Sequence, residues 1–366
     1  MLHIGLPFFK KGLPFFKKVT MLIIMIIVVP RAFGLLIRCG FNCVIACAIA
    51  VVLWLAFGPQ GDGDADAEIL HASYDATREL FAEVNAAFQA WYAQHYGKVV
   101  RVRMSHGGSA SQVQAVLNGL DVDVISVAVP ADLDRLIEAG LVQLQQMQAN
   151  RLPPFYDTVV LVVRRGNPLN IRDWLDLAKP GMDVVMPSPR SSGAARWILL
   201  AIWAGLREYA ESDKQAILAS ILGNVQRWEV SSRTAAVRFF RRRQGDVIVT
   251  WLHDALALTG GIENDAEVIY PRTSIRAEPA IAVVDRAARR KGTLEVARVY
   301  VEFLYRPEAQ TIIERHYYTP AQPGQIRPDS PPLVLQTVEQ VFGSWQAAHR
   351  LLFAPGALFD RCTRTH

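Results

Sequence analysis

Beyond residue 60 the chain carries a single cysteine, Cys362, so its body can form no internal disulfide. A body of this length needs no such staple, and an oxidising compartment stays open to it. Acidic residues are missing from the first sixty positions, which hold six basic ones: Lys10, Lys11, Lys17, Lys18, Arg31 and Arg38. Without them the remainder has 33 basic against 34 acidic residues, a net charge of −1 rather than the +5 of the whole chain. A near-neutral body lacks the basic surface that nucleic acid demands. The run Arg241, Arg242 and Arg243 reads as a solvated helix end.

Catalytic signatures are lacking too. There is no Gly-x-x-x-x-Gly-Lys-[Ser/Thr] loop and no Gly-x-Gly-x-x-Gly after a strand. Gly107-Gly108-Ser109-Ala110-Ser111 misses Gly-x-Ser-x-Gly at its fifth position. His106-Gly107-Gly108 has the look of an oxyanion loop, but no nucleophile elbow accompanies it. The body has no His-x-x-x-His pair and no Cys/His ligand cluster. Lone histidines such as His71 and His253 read as satisfied structural residues. An enzyme, a metal centre and an organic cofactor are therefore not expected.

The leader spans 1–60. Residues 5–11 and 12–18 repeat Gly-Leu-Pro-Phe-Phe-Lys-Lys, whose proline excludes a coiled coil. Residues 21–29 are apolar, and residues 43–57 form a second apolar run behind Arg31 and Arg38. A basic flank, an apolar core and a small exit at Gly58-Pro59 describe an export signal or, if retained, a membrane anchor. Cys39, Cys43 and Cys47 fall on one helical face of it. Residues 61–67 are acidic and glycine-rich, and read as a linker.

The body alternates strands and helices, which implies an α/β fold with mostly parallel pairing. Strands are expected at 69–73, 99–104, 122–129, 158–163, 184–186, 247–251, 267–270 and 280–284. Helices are expected at 77–92, 111–120, 131–139, 174–177, 195–209, 215–222, 235–242, 255–258, 294–304 and 307–314. A proline-rich loop covers 321–332, and one last helix covers 337–352.

Four polar joints of small residues interrupt this pattern, each where an apolar run yields to helical spacing. They are Ser73-Tyr74-Asp75-Ala76-Thr77, Ser105-His106-Gly107-Gly108-Ser109, Ser191-Ser192-Gly193-Ala194-Ala195 and Val230-Ser231-Ser232-Arg233-Thr234. A helix start offers unpaired N–H groups and the positive end of the macrodipole. Small residues let a ligand approach that backbone. One such joint is ordinary capping. Four of them, two in each half of the body, point to an anion held by backbone donors. Trp251, at a strand end, adds an indole N–H that can only donate.

These residues carry a resemblance. Ser73–Leu80, Ser105–Ser109, Arg165–Pro168, Ser191–Trp197, Gly245–Trp251, Ala277–Pro279 and Val341–Trp345 resemble, in order, motifs of the periplasmic sulfate/thiosulfate-binding proteins of bacterial ABC importers. The resemblance covers about residues 68–360. It implies a two-lobed α/β fold of the type II periplasmic-binding class, a dehydrated sulfate or thiosulfate between the lobes, and delivery to ABC permease membrane subunits by a periplasmic monomer. By motif position the anion would meet the amides of Asp75, Ser109, Gly193, Ala194 and Ser232, the Ser192 hydroxyl and the Trp251 indole. Arg78, His106, Arg196 and Arg233 lie beside the loops, the arginines as residues that orient peptide groups. Lobe one is expected over 68–155 and 256–330, lobe two over 156–255, with 331–366 packing on the lobes. The chain departs from the pattern at Ala194, Ala110-Ser111, Ser231-Ser232 and Leu252, and in its long leader. That leader keeps a second reading open, a membrane-tethered sensory or interaction domain on the same fold.

Overall fold

The computed structural model describes residues 65–143, 153–260, 265–321 and 333–363. The leader with Cys39, Cys43 and Cys47, and nearly all of the 321–332 loop, lie outside the described residues. In chain order the elements are β1 (Ala67–Tyr74), α1 (Arg78–Tyr96), β2 (Val100–Gly107), α2 (Ser109–Leu117), β3 (Val124–Val127), α3 (Asp134–Glu138), β4 (Phe155–Tyr156), β5 (Val159–Arg164) and β6 (Val184–Val185). There follow α4 (Gly193–Gly205), α5 (Glu211–Gly223), α6 (Ser232–Ala236), β7 (Val247–Trp251), α7 (Leu252–Thr259), β8 (Ala266–Ile269), β9 (Thr273–Ile275) and β10 (Ala280–Val283). The chain continues through α8 (Asp285–Lys291), α9 (Leu294–Phe303), α10 (Pro307–Arg315), β11 (Thr319–Pro320), β12 (Val334–Gln336), α11 (Val338–Phe342), α12 (Trp345–Leu352) and α13 (Leu358–Thr363).

Two four-stranded sheets organise these elements into two lobes. The first has the order β10-β3-β1-β2, the second β6-β7-β5-β8. In the first, β1 runs parallel to both β2 and β3, and only β10 is reversed. Ile69 and Val124 face a core made with Phe81, Phe88, Tyr300 and Phe303, whereas Ala72 and Ile125 face Val113, Leu133 and Leu136. In β5 the alternation is strict: Val159, Leu161 and Val163 turn to the core with Trp174 and Trp197, and Val160 and Val162 to the core with Phe239 and Ile248.

Mostly parallel pairing fails in the second sheet. β6 and β7 are parallel, but β5 is antiparallel to both β7 and β8. An uninterrupted apolar run such as Val159–Val163 records burial on both faces, and burial says nothing of direction. Val159 pairs with Trp251, so β5 starts at the end of the sheet where β7 finishes and runs the other way. The expected boundary at 255 shifts as well. β8 pairs with β5, and Ile275 and Ala277 pack in the second-sheet core, so the chain turns back toward the first sheet only around Ala277. There an isolated antiparallel bridge joins Asp157 to Ala277. Val338, Ala348, Leu352 and Leu358 of the C-terminal helices also join the second-sheet core. The single helix expected over 337–352 breaks at Gly343, whose φ of 77° suits glycine. Ser344 then caps α12 by accepting the Ala347 N–H at 3.1 Å. The body holds α8 and α13, which were not anticipated.

Candidate functional site

Each of the four joints opens a helix: the first two directly follow β1 and β2, the third follows β6 after a turn, and the fourth follows an isolated bridge between Pro187 and Glu229. At the first, β1 ends at Tyr74, and a single 3-10 turn, Asp75–Thr77, precedes α1. The turn is pinned from beneath: Thr77 Oγ1 donates to the Tyr74 carbonyl at 2.8 Å and pairs with Ser73 Oγ at 2.6 Å. The Tyr74 carbonyl and the Asp75 N–H belong to one peptide unit, so this bond fixes that donor's direction. At the second joint Gly108 precedes α2 without a side chain to cap it. The Ser109 hydroxyl accepts the Ala128 N–H at 2.9 Å, which ties the helix start to the end of β3.

The third joint is a turn in which the Ser188 carbonyl accepts the N–H groups of Ser191 and Ser192, at 3.1 and 2.9 Å. Those two amides are thereby spent. The Ser192 hydroxyl makes no capping bond, and α4 begins with Gly193. At the fourth joint Ser231 and Thr234 form a reciprocal capping box, which consumes the Ser231 hydroxyl and amide and leaves the first helical N–H to Ser232. Ser191 Oγ donates to the Val230 carbonyl at 2.9 Å and links the third joint to the fourth. A Cβ on Gly108 would lie 3.5 Å from the Ser191 carbonyl, and one on Gly193 would lie 3.4 Å from Ser109 Oγ, so the second and third joints face each other closely.

All seven expected ligand residues, Asp75, Ser109, Ser192, Gly193, Ala194, Ser232 and Trp251, line one cavity of about 570 Å³. Trp251 is 5% exposed, and its Nε1 has no hydrogen-bond partner among the described residues. A buried donor left unpaired costs about 1–3 kcal/mol, which makes it a natural place for an acceptor from outside the chain.

The arginines behave differently from the expectation. Arg78 donates to Asp75 at 2.8 Å, Arg196 holds Asp132 with two bonds of 2.8 and 2.6 Å, and Arg233 reaches Glu79 at 3.1 Å and Asp75 at 3.8 Å. Their partners are carboxylates and not peptide carbonyls. Arg196 and Arg233 stand on the second half and their partners on the first; Arg233, Asp75 and Glu79 themselves line the cavity. Beside them Trp197 Nε1 donates to the Ala128 carbonyl at 2.7 Å. His106 lies at the end of β2; burial, and then the Arg78 charge, lower its pKa.

Of the two histidines read as structural, His71 is enclosed between Tyr300 and Ser126, and burial lowers its pKa to about 3, so it stays neutral. His253, by contrast, lines the cavity, together with Asp254, Arg315, His316 and Tyr318. The sequence signal for His253 was its place two residues after Trp251. Tyr318 had none, since it enters from the far side of the chain. Among the described residues no group of His, Cys, Asp or Glu could hold a metal, and no helix is long and apolar enough to cross a membrane.

Residues 69–319 match the family model described as bacterial extracellular solute-binding protein. The chain is 38% identical over 310 residues to the sulfate-binding protein of Escherichia coli, covering 82% of this chain and 94% of that one. It is 33% identical over 321 residues to the thiosulfate-binding protein of Pseudomonas aeruginosa, covering 84% and 95%. Among solved structures, the sulfate-binding protein SubI of Mycobacterium tuberculosis superposes with a TM-score of 0.68 at 30% identity, over 78% of this chain and 99% of that one. With its two lobes, its cavity between four helix starts and these relatives, the chain belongs to the periplasmic sulfate- and thiosulfate-binding family of bacterial extracellular solute-binding proteins.

Proposed function

We propose that this protein captures sulfate or thiosulfate outside the cytoplasm and delivers it to an ABC permease. The observation that supports the reading is convergence: Asp75, Ser109, Gly193, Ala194, Ser232, the uncapped Ser192 and the indole of Trp251 line a single cavity. The donors are the amides of Asp75, Ser109, Gly193, Ala194 and Ser232, the Ser192 hydroxyl and the Trp251 indole. Helix starts add the favourable end of their dipoles. The nearby guanidinium groups are neutralised by Asp75, Glu79 and Asp132, so charge recognition falls to the dipoles.

The same donor set explains discrimination. Sulfate is fully ionised at neutral pH and brings no proton. A pocket of donors would set the proton of hydrogen phosphate against another donor, and that repulsion rejects it. The two sheets are the cores of two lobes that hinge near the Asp157–Ala277 bridge, and the pairs Arg196–Asp132 and Arg233–Glu79 hold them together over the ligand. Calorimetric titration of the purified protein with sulfate, thiosulfate, phosphate and molybdate tests the reading. One-to-one binding of sulfate or thiosulfate with phosphate rejected is expected; absence of heat with both sulfur oxyanions would overturn it.

A further inference from the structure

His253 is the second residue of α7, and its ring is 7% exposed. Nδ1 meets Asp157 Oδ2 at 2.5 Å. Nε2 meets the Tyr318 hydroxyl at 3.0 Å and Asp254 Oδ1 at 3.3 Å, and the ring stacks on Tyr318 with centroids 4.2 Å apart. The Tyr318 hydroxyl lies 3.0 Å from the Ala76 carbonyl, which can only accept; when its proton goes there, it accepts from Nε2. A carboxylate also only accepts. With the Tyr318 proton on the Ala76 carbonyl, both ring nitrogens face acceptors, an arrangement that suits an imidazolium. The electrostatics agree. Burial alone would lower its pKa, but Asp254 and Asp157 raise it to about 10.

Directly behind the anion cavity lies a second void of about 10 Å³, walled by Asp157, Trp251, His253, Tyr74 and Tyr318. Asp157 and Trp251 thus share the walls of one small void, with His253 between Asp157 and the larger cavity's lining. A buried negative charge in that position would repel a bound dianion.

We propose that His253 is a positioning residue for the anion: it cancels the Asp157 charge behind the cavity and, through Tyr318, fixes the Ala76 carbonyl of the first joint. It touches no anion itself, because both of its N–H groups are spent. The inference rests on the anion-binding reading above. The groups facing the ring are Asp157 from the segment before β5, Asp254 on its own helix, Tyr318 and His316 from the segment after α10, Tyr74 at the end of β1 and Glu79 on α1.

The test is the sulfate dissociation constant by calorimetry at pH 5.5 and pH 8, for the wild type, His253→Gln and the double variant His253→Gln/Asp157→Asn. The wild type should be flat with pH. His253→Gln should bind at least about tenfold more weakly at pH 8, because the Asp157 charge is no longer compensated. The double variant should be tighter than His253→Gln at pH 8. His253→Gln with wild-type affinity at both pH values would overturn this inference alone. A wild type that binds neither sulfate nor thiosulfate would overturn the anion reading and this inference with it. Should His253→Gln fail to fold, Asp157→Asn decides: at pH 5.5 it should bind sulfate at least as tightly as the wild type, and binding tenfold weaker by the folded variant would overturn the inference.

Discussion

Trp251 carries the sharpest residue-level consequence. Trp251→Phe keeps the apolar ring in the second-sheet core and removes an indole N–H that has no partner among the described residues. If that N–H meets a charged acceptor shut away from water, its loss costs about 1.5–3 kcal/mol, or roughly a 10- to 150-fold rise in the sulfate dissociation constant. Calorimetry and a thermal melt on the same variant separate the outcomes, because a merely structural tryptophan would lower the melting temperature and leave affinity intact. Affinity in the wild type should hardly change between pH 5.5 and pH 8, since no donor in the set titrates there. His253 gives a separate signature in stability. Its folded pKa, about 10, lies above the ordinary 6.5. The stability it adds is thus complete below about pH 6.5 and is lost as pH climbs toward about 10. Melting temperatures measured across that range should fall further for the wild type than for His253→Gln.

Among the elements, α4 is closely packed at its C-terminal end. A Cβ on Gly205 would stand 1.9 Å from Trp174 Cδ1, and Trp174 is fixed by its own bond to the Thr273 carbonyl at 2.7 Å. Gly205→Ala should therefore destabilise by about 1–3 kcal/mol through overpacking, against the usual helix preference for alanine. A melting temperature equal to or above that of the wild type would contradict the contact. The elements also show what sequence could and could not reveal. Helix starts were legible because small polar residues after an apolar strand have a local cause, the need to cap and expose N–H groups. β7 was legible as a bounded apolar run, and its observed ends match 247–251. The direction of β5 was not legible, because pairing partners lie far along the chain. Gly343-Ser344 did hold the break in the last helix, as a glycine terminator followed by a cap, and apolar spacing on either side hid it. At the site, the residues that line the cavity were readable from joints one at a time. The carboxylate partners of Arg196 and Arg233, and the meeting of His253 with Asp157 and Tyr318, arise only when distant segments are folded together.

For the molecule as a whole, a ligand that binds only the folded form must raise its stability. Sulfate at a hundred times its dissociation constant should add about 2.7 kcal/mol, visible as a higher melting temperature that phosphate does not produce. The order of strands in the first sheet reaches further. β3 gains its outer neighbour β10 only after the entire second sheet has been made. A ribosome building this chain would release β1, β2 and β3 long before the strand that completes them exists. A chain cut after Arg276 should accordingly show no cooperative melt of the first sheet. Its own connectivity thus postpones completion of the first sheet until the last quarter of the chain is made.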